Sequence, residues 1–182
     1  WKHDPAVGMP VDIRLEQGNS PSLLSAFYLN ELTLKLTLRE DPHEGLFDAY
    51  IDAIDGLTGL VGAAVDVRAI ATILRRFEVT LLQELGYALQ LAYEADSHVP
   101  LDPEREYRYF PERGPVPLAR LAGEFRGDDN LQLSGRTLLD MSRGEYDHPQ
   151  TQLQAKQLMR RMINQLLGEK VLHTRNLIRE LK

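Results

Sequence analysis

Ile70, Leu74, Phe77, Leu81 and Leu85 recur at intervals of three and four residues, which places all five on one side of an α-helix. A stripe of that kind must be buried, so the chain has to fold as packed helices around it. Val79 and Leu82 widen the stripe toward Arg75. Gly86 ends it, since glycine accepts the positive φ on which many helices stop. Two adjacent arginines, Arg75 and Arg76, ride on the same helix. The simpler account of Arg75 is a solvated pair with Glu78, three residues on, of the small worth usual for exposed ion pairs. The other account is that a guanidinium beside an apolar hollow holds a partner's charged tail.

The 182 residues allow one domain with a real core, or a helical body with a small appendage. A hydrophobic content of 43% and a charged content of 26% are those of a folded chain. No apolar run reaches the roughly 18 residues of a bilayer span, and the opening Trp1-Lys2-His3-Asp4-Pro5 lacks the apolar centre of a signal peptide, so a cytoplasmic protein is expected. With no cysteine in the chain, disulfides, thiolate metal sites and a cysteine nucleophile are excluded.

Turn chemistry divides the chain. Residues 1–19, with the alternating patch Val11-Asp12-Ile13-Arg14-Leu15, read as a strand or linker without a core of its own. Ser20-Pro21 reads as an N-cap followed by proline at the first helical position, opening a helix through Leu38. A second helix is expected from about Pro42 to Leu57, and a Gly/Ala-rich connector leads to the helix of Phe77. Three successive helices predict a bundle. From Gly86 to about Asn130 the pattern breaks, with Pro100, Pro103, Pro111, Pro115 and Pro117 and the alternating run Tyr107-Arg108-Tyr109-Phe110, so a small irregular subdomain with short strands is expected there. Ser134 caps a further helix, Asp147-His148-Pro149 starts a longer one that Gly168 ends, and a last helix is expected over about Thr174 to Leu181. The fold class is therefore mainly α, a helical bundle with a small irregular β-containing part.

The net charge of −6 conceals a segregation. From His148 onward seven Lys/Arg face two glutamates, a local balance of +5 that leaves −11 on the rest of the chain. Such a field is suited to phosphates, although a solvated helical face accounts for it as well. The Walker loop, GxGxxG, HExxH and GxSxG are all missing, so an enzyme is not expected. Asp96, His98 and Asp102 have the chemistry of a divalent-metal site, but exposed loops are commonly rich in these residues, and neither a metal nor another cofactor is expected.

Taken together, Phe27-Tyr28-Leu29-Asn30-Glu31-Leu32, Leu74-Arg75-Arg76-Phe77-Glu78, Leu85-Gly86-Tyr87, Tyr107-Arg108-Tyr109 and Leu172-His173-Thr174-Arg175 resemble, in order and spacing, the bacterial recombination and repair family RecO. The resemblance covers about residues 20–182, the helical part of that family, with a zinc-finger-like insert at about 88–130. It implies an N-terminal OB-fold, missing here, to which residues 1–19 would be the exit. Many members carry a four-cysteine zinc site in the insert. This chain has none of those cysteines, so hydrophobic contacts and strand pairing are expected to hold the segment.

The resemblance further implies a non-enzymatic mediator, cytoplasmic and nucleoid-associated. It would bind single- and double-stranded DNA, anneal strands, act with RecR, and help RecA displace single-stranded-DNA-binding protein (SSB). The acidic C-terminal tail of SSB would sit on the arginine-bearing helix, with Arg75 clamping its carboxylate, Arg76 as a second charge, and Leu74, Val79 and Leu82 as apolar lining. DNA phosphates would meet Lys156, Arg160, Arg161, Lys170, His173, Arg175 and Arg179 without base readout. The competing reading is an all-helical protein-interaction adaptor that never touches nucleic acid.

Overall fold

The computed structural model describes residues 21–38, 43–61, 66–121 and 131–174. Three helices come first: α1 (Pro21–Leu36), α2 (Glu44–Gly59) and α3 (Val67–Glu84). A three-stranded antiparallel sheet follows, formed by β1 (Glu106–Phe110), β2 (Gly114–Pro117) and β3 (Gln132–Ser134) in the spatial order β2-β1-β3. Helices α4 (Gly135–Ser142) and α5 (Pro149–Leu167) complete the described fold. The mainly helical architecture with a small β-containing part is the one expected, although α2 starts at Glu44 and continues to Gly59. Residues 1–20, Pro42, and the last expected helix beyond Thr174 lie outside the described residues.

Local chemistry sets the helix ends. Asp66 caps α3 by accepting the N–H groups of Arg68 and Ala69, each at 3.0 Å. Its far end is a Schellman motif: Gly86 takes φ +83°, the Tyr87 N–H reaches the Leu82 carbonyl at 2.7 Å, and the Gly86 N–H reaches that of Gln83 at 3.0 Å. Ser134 caps α4 through the Thr137 N–H at 3.1 Å. His148 occupies the N-cap of α5 with Pro149 after it, and Gly168 closes that helix at φ +55°.

Helix α3 is the centre of the molecule, touching α1, α2 and α5. Its neighbouring residues Leu81 and Leu82 are both fully buried but enter different clusters. Leu81 joins Phe77, Leu29, Leu32, Ile54 and Leu57 between α1, α2 and α3. Leu82 joins Tyr107, Leu133, Leu138, Leu158 and Met159 beneath the sheet. Helix α5 is divided in the same way, giving Ile163 and Leu167 to the first cluster and Ala155, Leu158 and Met162 to the second. The pair α3–α5 is thus a common wall with an apolar core on either side.

Strand pairing and hydrophobic contact hold the sheet, as its lack of cysteine requires. Tyr107 and Tyr109 point inward and are buried, while Arg108 and Phe110, which alternate with them, remain partly open. Each inward hydroxyl accepts a backbone N–H, Tyr107 from Asp102 at 2.9 Å and Tyr109 from Gln90 at 3.1 Å. Burial pushes the Tyr109 phenol up to about 12, against a smaller opposing effect of the Gln90 bond. Gln154 of α5 anchors the sheet to the helices: its Oε1 accepts from the Thr137 hydroxyl at 2.6 Å and the Ser134 N–H at 3.1 Å.

Candidate functional site

The apolar periodicity of α3 turns one face into the core and carries Arg75 to the edge of that face. Arg75 does pair with Glu78, but not on a solvated surface. The Arg75 Nη2 donates to Glu78 Oε1 at 2.7 Å, with the two side chains only 10% and 1% exposed. The hydroxyl of Tyr28, from α1, donates to the same oxygen at 2.7 Å. Charge-assisted bonds of this length in a dry site are far stronger than exposed pairs, and the loss of either partner leaves the other buried and uncompensated. The Arg75 Nε is also buried and has no hydrogen-bond partner. A buried donor without an acceptor is unusual and calls for an explanation.

Tyr146 lies beside this group. Burial pushes its phenol up to about 12, with Arg75 pulling it down, Glu78 pushing it up and Arg76 pulling it down. Arg76 is exposed, and its Nε and Nη2 donate to the Gly144 carbonyl at 3.2 and 3.0 Å, tying α3 to the turn after α4. Leu74 is half-buried against the first core and Val79 against the second. Leu82 has no exposed surface and lies within the core on which Val79 rests. Sequence reasoning overlooked Tyr28 and Tyr146 as members of this group. Tyr28 lies within the motif Phe27-Tyr28-Leu29-Asn30-Glu31-Leu32, but only the tertiary fold brings it to Glu78, and nothing local marks Tyr146.

The described basic residues expected to meet DNA lie on α5 and in the segment just after it. Lys156 and Arg160 are exposed one turn apart on α5. Arg161, half-buried, lines a cleft of about 570 Å³ with Phe110, Pro111, Glu112, Arg113 and Gln165. Over its 19 residues α5 carries those three cations and no carboxylate. Lys170 is exposed, and its Nζ donates to the Lys35 carbonyl at 2.9 Å. The His173 side chain is exposed, while its N–H is bound by Glu31 at 2.7 Å. Arg175 and Arg179 lie outside the described residues.

Asp96 and Asp102 are engaged by cations rather than set around His98. Arg113 binds Asp96 through two bonds of 2.8 and 2.6 Å, and Arg105 lies 3.1 Å from Asp102. No grouping of three metal-ligating side chains occurs among the described residues. No helix among them is long and apolar enough to cross a membrane.

Comparison with known proteins identifies the family. The family described as "Recombination protein O C terminal" matches residues 19–175. A protein of Aromatoleum aromaticum named "DNA repair protein RecO" is 46% identical over 161 residues, 88% of this chain and 62% of that protein. Its namesake in Nitrosospira multiformis is also 46% identical, over 87% of this chain and 61% of its own length. One from Methylococcus capsulatus is 37% identical over 97% of this chain and 65% of its own. The chain spans about three fifths of the length of these relatives.

Proposed function

This chain belongs to the RecO family, matching its C-terminal part, and from that premise we propose that it is a non-catalytic mediator of DNA repair and recombination that holds DNA along α5. The observation that carries the reading is the charge of that helix: Lys156, Arg160 and Arg161 over 19 residues without one carboxylate, in a chain of net charge −6. A polyanion approaching most of this surface is repelled, and α5 is where it is received. Its exposed neutral positions, including Gln150, Gln157, Asn164 and Gln165, are amides that hydrogen-bond phosphate and sugar without demanding a sequence. An annealer, which must accept any strand, needs that indifference. Lys170 and His173, both exposed just beyond α5, add to the positive charge at that end of the chain, and Arg175 and Arg179 follow them in sequence. A fluorescence-anisotropy titration of the chain with single-stranded and duplex oligonucleotides over a series of salt concentrations tests this. The logarithm of the affinity should fall linearly with that of the salt concentration. Absent or salt-indifferent binding would favour the adaptor that touches only proteins.

The second element of the proposal is capture of the acidic C-terminal tail of SSB at Arg75 and Arg76. The buried Arg75 Nε without an acceptor supports it, since a terminal carboxylate would supply one. Val79, half-buried against the core that holds Leu82, would receive the tail's last apolar side chain, whereas Leu74 rests on the other core. Titration with an SSB-tail peptide, and with the same peptide lacking its terminal apolar residue, tests the pocket: the first should bind and the second should not. Within this reading the chain acts with RecR and assists RecA indirectly, roles that require surfaces rather than reacting groups.

A further inference from the structure

The cleft between the β1–β2 turn and α5 differs from the rest of the basic surface. It has an aromatic wall, Phe110, beside Pro111, and hydrogen-bonding edges from Arg161 and Gln165. Its charge is nearly balanced within itself, because Arg113 is neutralised by the two-bond contact with Asp96, and the lining holds one further carboxylate, Glu112, and one further cation, Arg161. A cleft of about 570 Å³ falls within the range of small-ligand sites, roughly 300–1,000 Å³. The charge that no carboxylate pairs among the described residues lies next to it, on Lys156 and Arg160 of the same helix. A neutral, partly aromatic recess at the foot of a cationic face has the polarity of a nucleotide unit, with an apolar ring bearing hydrogen-bonding edges attached to a phosphate.

We propose that this cleft receives one unstacked nucleobase of a single strand whose phosphates run along the Lys156–Arg160 face. The proposal rests on the nucleic-acid reading above and adds what that reading lacks, a way of preferring single strands. Bases within a duplex are stacked and paired and cannot enter, whereas a single strand presents each base to an aromatic side chain at little cost. Stacking tolerates any base, so the device is compatible with annealing without sequence preference.

The test is a set of anisotropy titrations of the 182-residue chain with three ligands: an oligo(dT), an abasic strand of the same length, and a hairpin duplex. Phe110→Leu is the principal variant because it keeps apolar volume beside the sheet while losing the aromatic face, and Phe110→Ala accompanies it with thermal melting as the check on folding. Phe110→Leu is expected to weaken oligo(dT) binding roughly five- to thirtyfold and to leave the abasic strand and the duplex unchanged. Unaltered oligo(dT) affinity, or equal losses for all three ligands, overturns the cleft while leaving DNA binding by α5 standing. If the parent chain binds none of the three, the nucleic-acid reading fails and this inference fails with it.

Discussion

Glu31 of α1 accepts two hydrogen bonds from Thr174, one from the N–H at 2.9 Å and one from the hydroxyl at 2.6 Å, across 143 residues of chain. Its other oxygen accepts the His173 N–H at 2.7 Å and lies 2.9 Å from the Lys35 ammonium. One carboxylate of the first helix thus holds the backbone at His173 and Thr174.

Burial alone would push the Glu31 carboxyl up, but the Thr174 hydroxyl, the two backbone N–H groups and Lys35 together outweigh it and hold the pKa at about 2, below the ordinary 4.5. A carboxylate depressed on folding contributes stability that is present above the unfolded-state pKa and is lost as pH falls through the folded-state value. Glu31 should therefore supply part of the acid limb between about pH 4.5 and pH 2. Glu31→Gln is expected to cost about 1–3 kcal/mol at neutral pH, in line with hydrogen bonds to a charged acceptor. Urea unfolding of parent and variant at several pH values checks this: the gap between them should close as pH approaches 2, and a constant gap would remove Glu31 from the acid response.

The Arg75–Glu78 pair yields a prediction of opposite sign for stability and binding. Glu78 neutralises the guanidinium proposed to meet a tail carboxylate. Glu78→Gln keeps the shape and an acceptor for Arg75 and Tyr28 while removing that charge. Tail-peptide affinity should rise several-fold, while stability falls by about 1–3 kcal/mol because charge-assisted bonds become neutral ones. Arg75→Ala, by contrast, takes the cation away from a buried carboxylate, should cost about 3–5 kcal/mol, and should abolish tail binding. Peptide anisotropy beside chemical denaturation separates the two effects, and a tail affinity that falls in Glu78→Gln would place the carboxylate elsewhere.

Gly135 opens α4 where the chain passes the loop before β1. A Cβ built there would lie 2.0 Å from the Asp102 carbonyl oxygen and 3.0 Å from the Tyr107 ring. The obstruction is backbone, and the Gly135 N–H is itself bound to the Arg105 carbonyl at 2.8 Å, so neither segment can withdraw without breaking that link. Gly135→Ala is expected to cost about 3 kcal/mol or more, whereas Gly59→Ala, in open space near the end of α2, should change the melting temperature little or raise it slightly.

What the sequence disclosed and what it hid follow from the range of the forces involved. The caps at Ser134 and His148 and the stops at Gly86 and Gly168 were legible because each is settled within a few residues. The division of the core was not, since Leu81 and Leu82 are alike in kind and only the packing of α3 against both halves sends them to opposite sides. The Arg75–Glu78 pairing was legible from its spacing, but its burial depends on Tyr28 and α1, 50 residues from Glu78. Helical spacing put Lys156 and Arg160 on one face, but the cleft beside them required knowing where the β1–β2 turn falls.

The α5 surface can be counted in phosphates. Each cation that neutralises one phosphate of a single strand releases counterions equivalent to a slope of roughly 0.7 in log affinity against log salt. Lys156→Ala and Arg160→Ala, both at exposed positions, should leave the fold intact and each reduce the slope by about that amount. Lys170 holds the Lys35 carbonyl and sits beyond the end of α5, so Lys170→Ala should weaken binding less than either. Salt titrations of the three variants against one labelled single strand measure this directly. If Lys156→Ala and Arg160→Ala lower affinity without altering the slope, these residues do not touch phosphate and the strand follows another path.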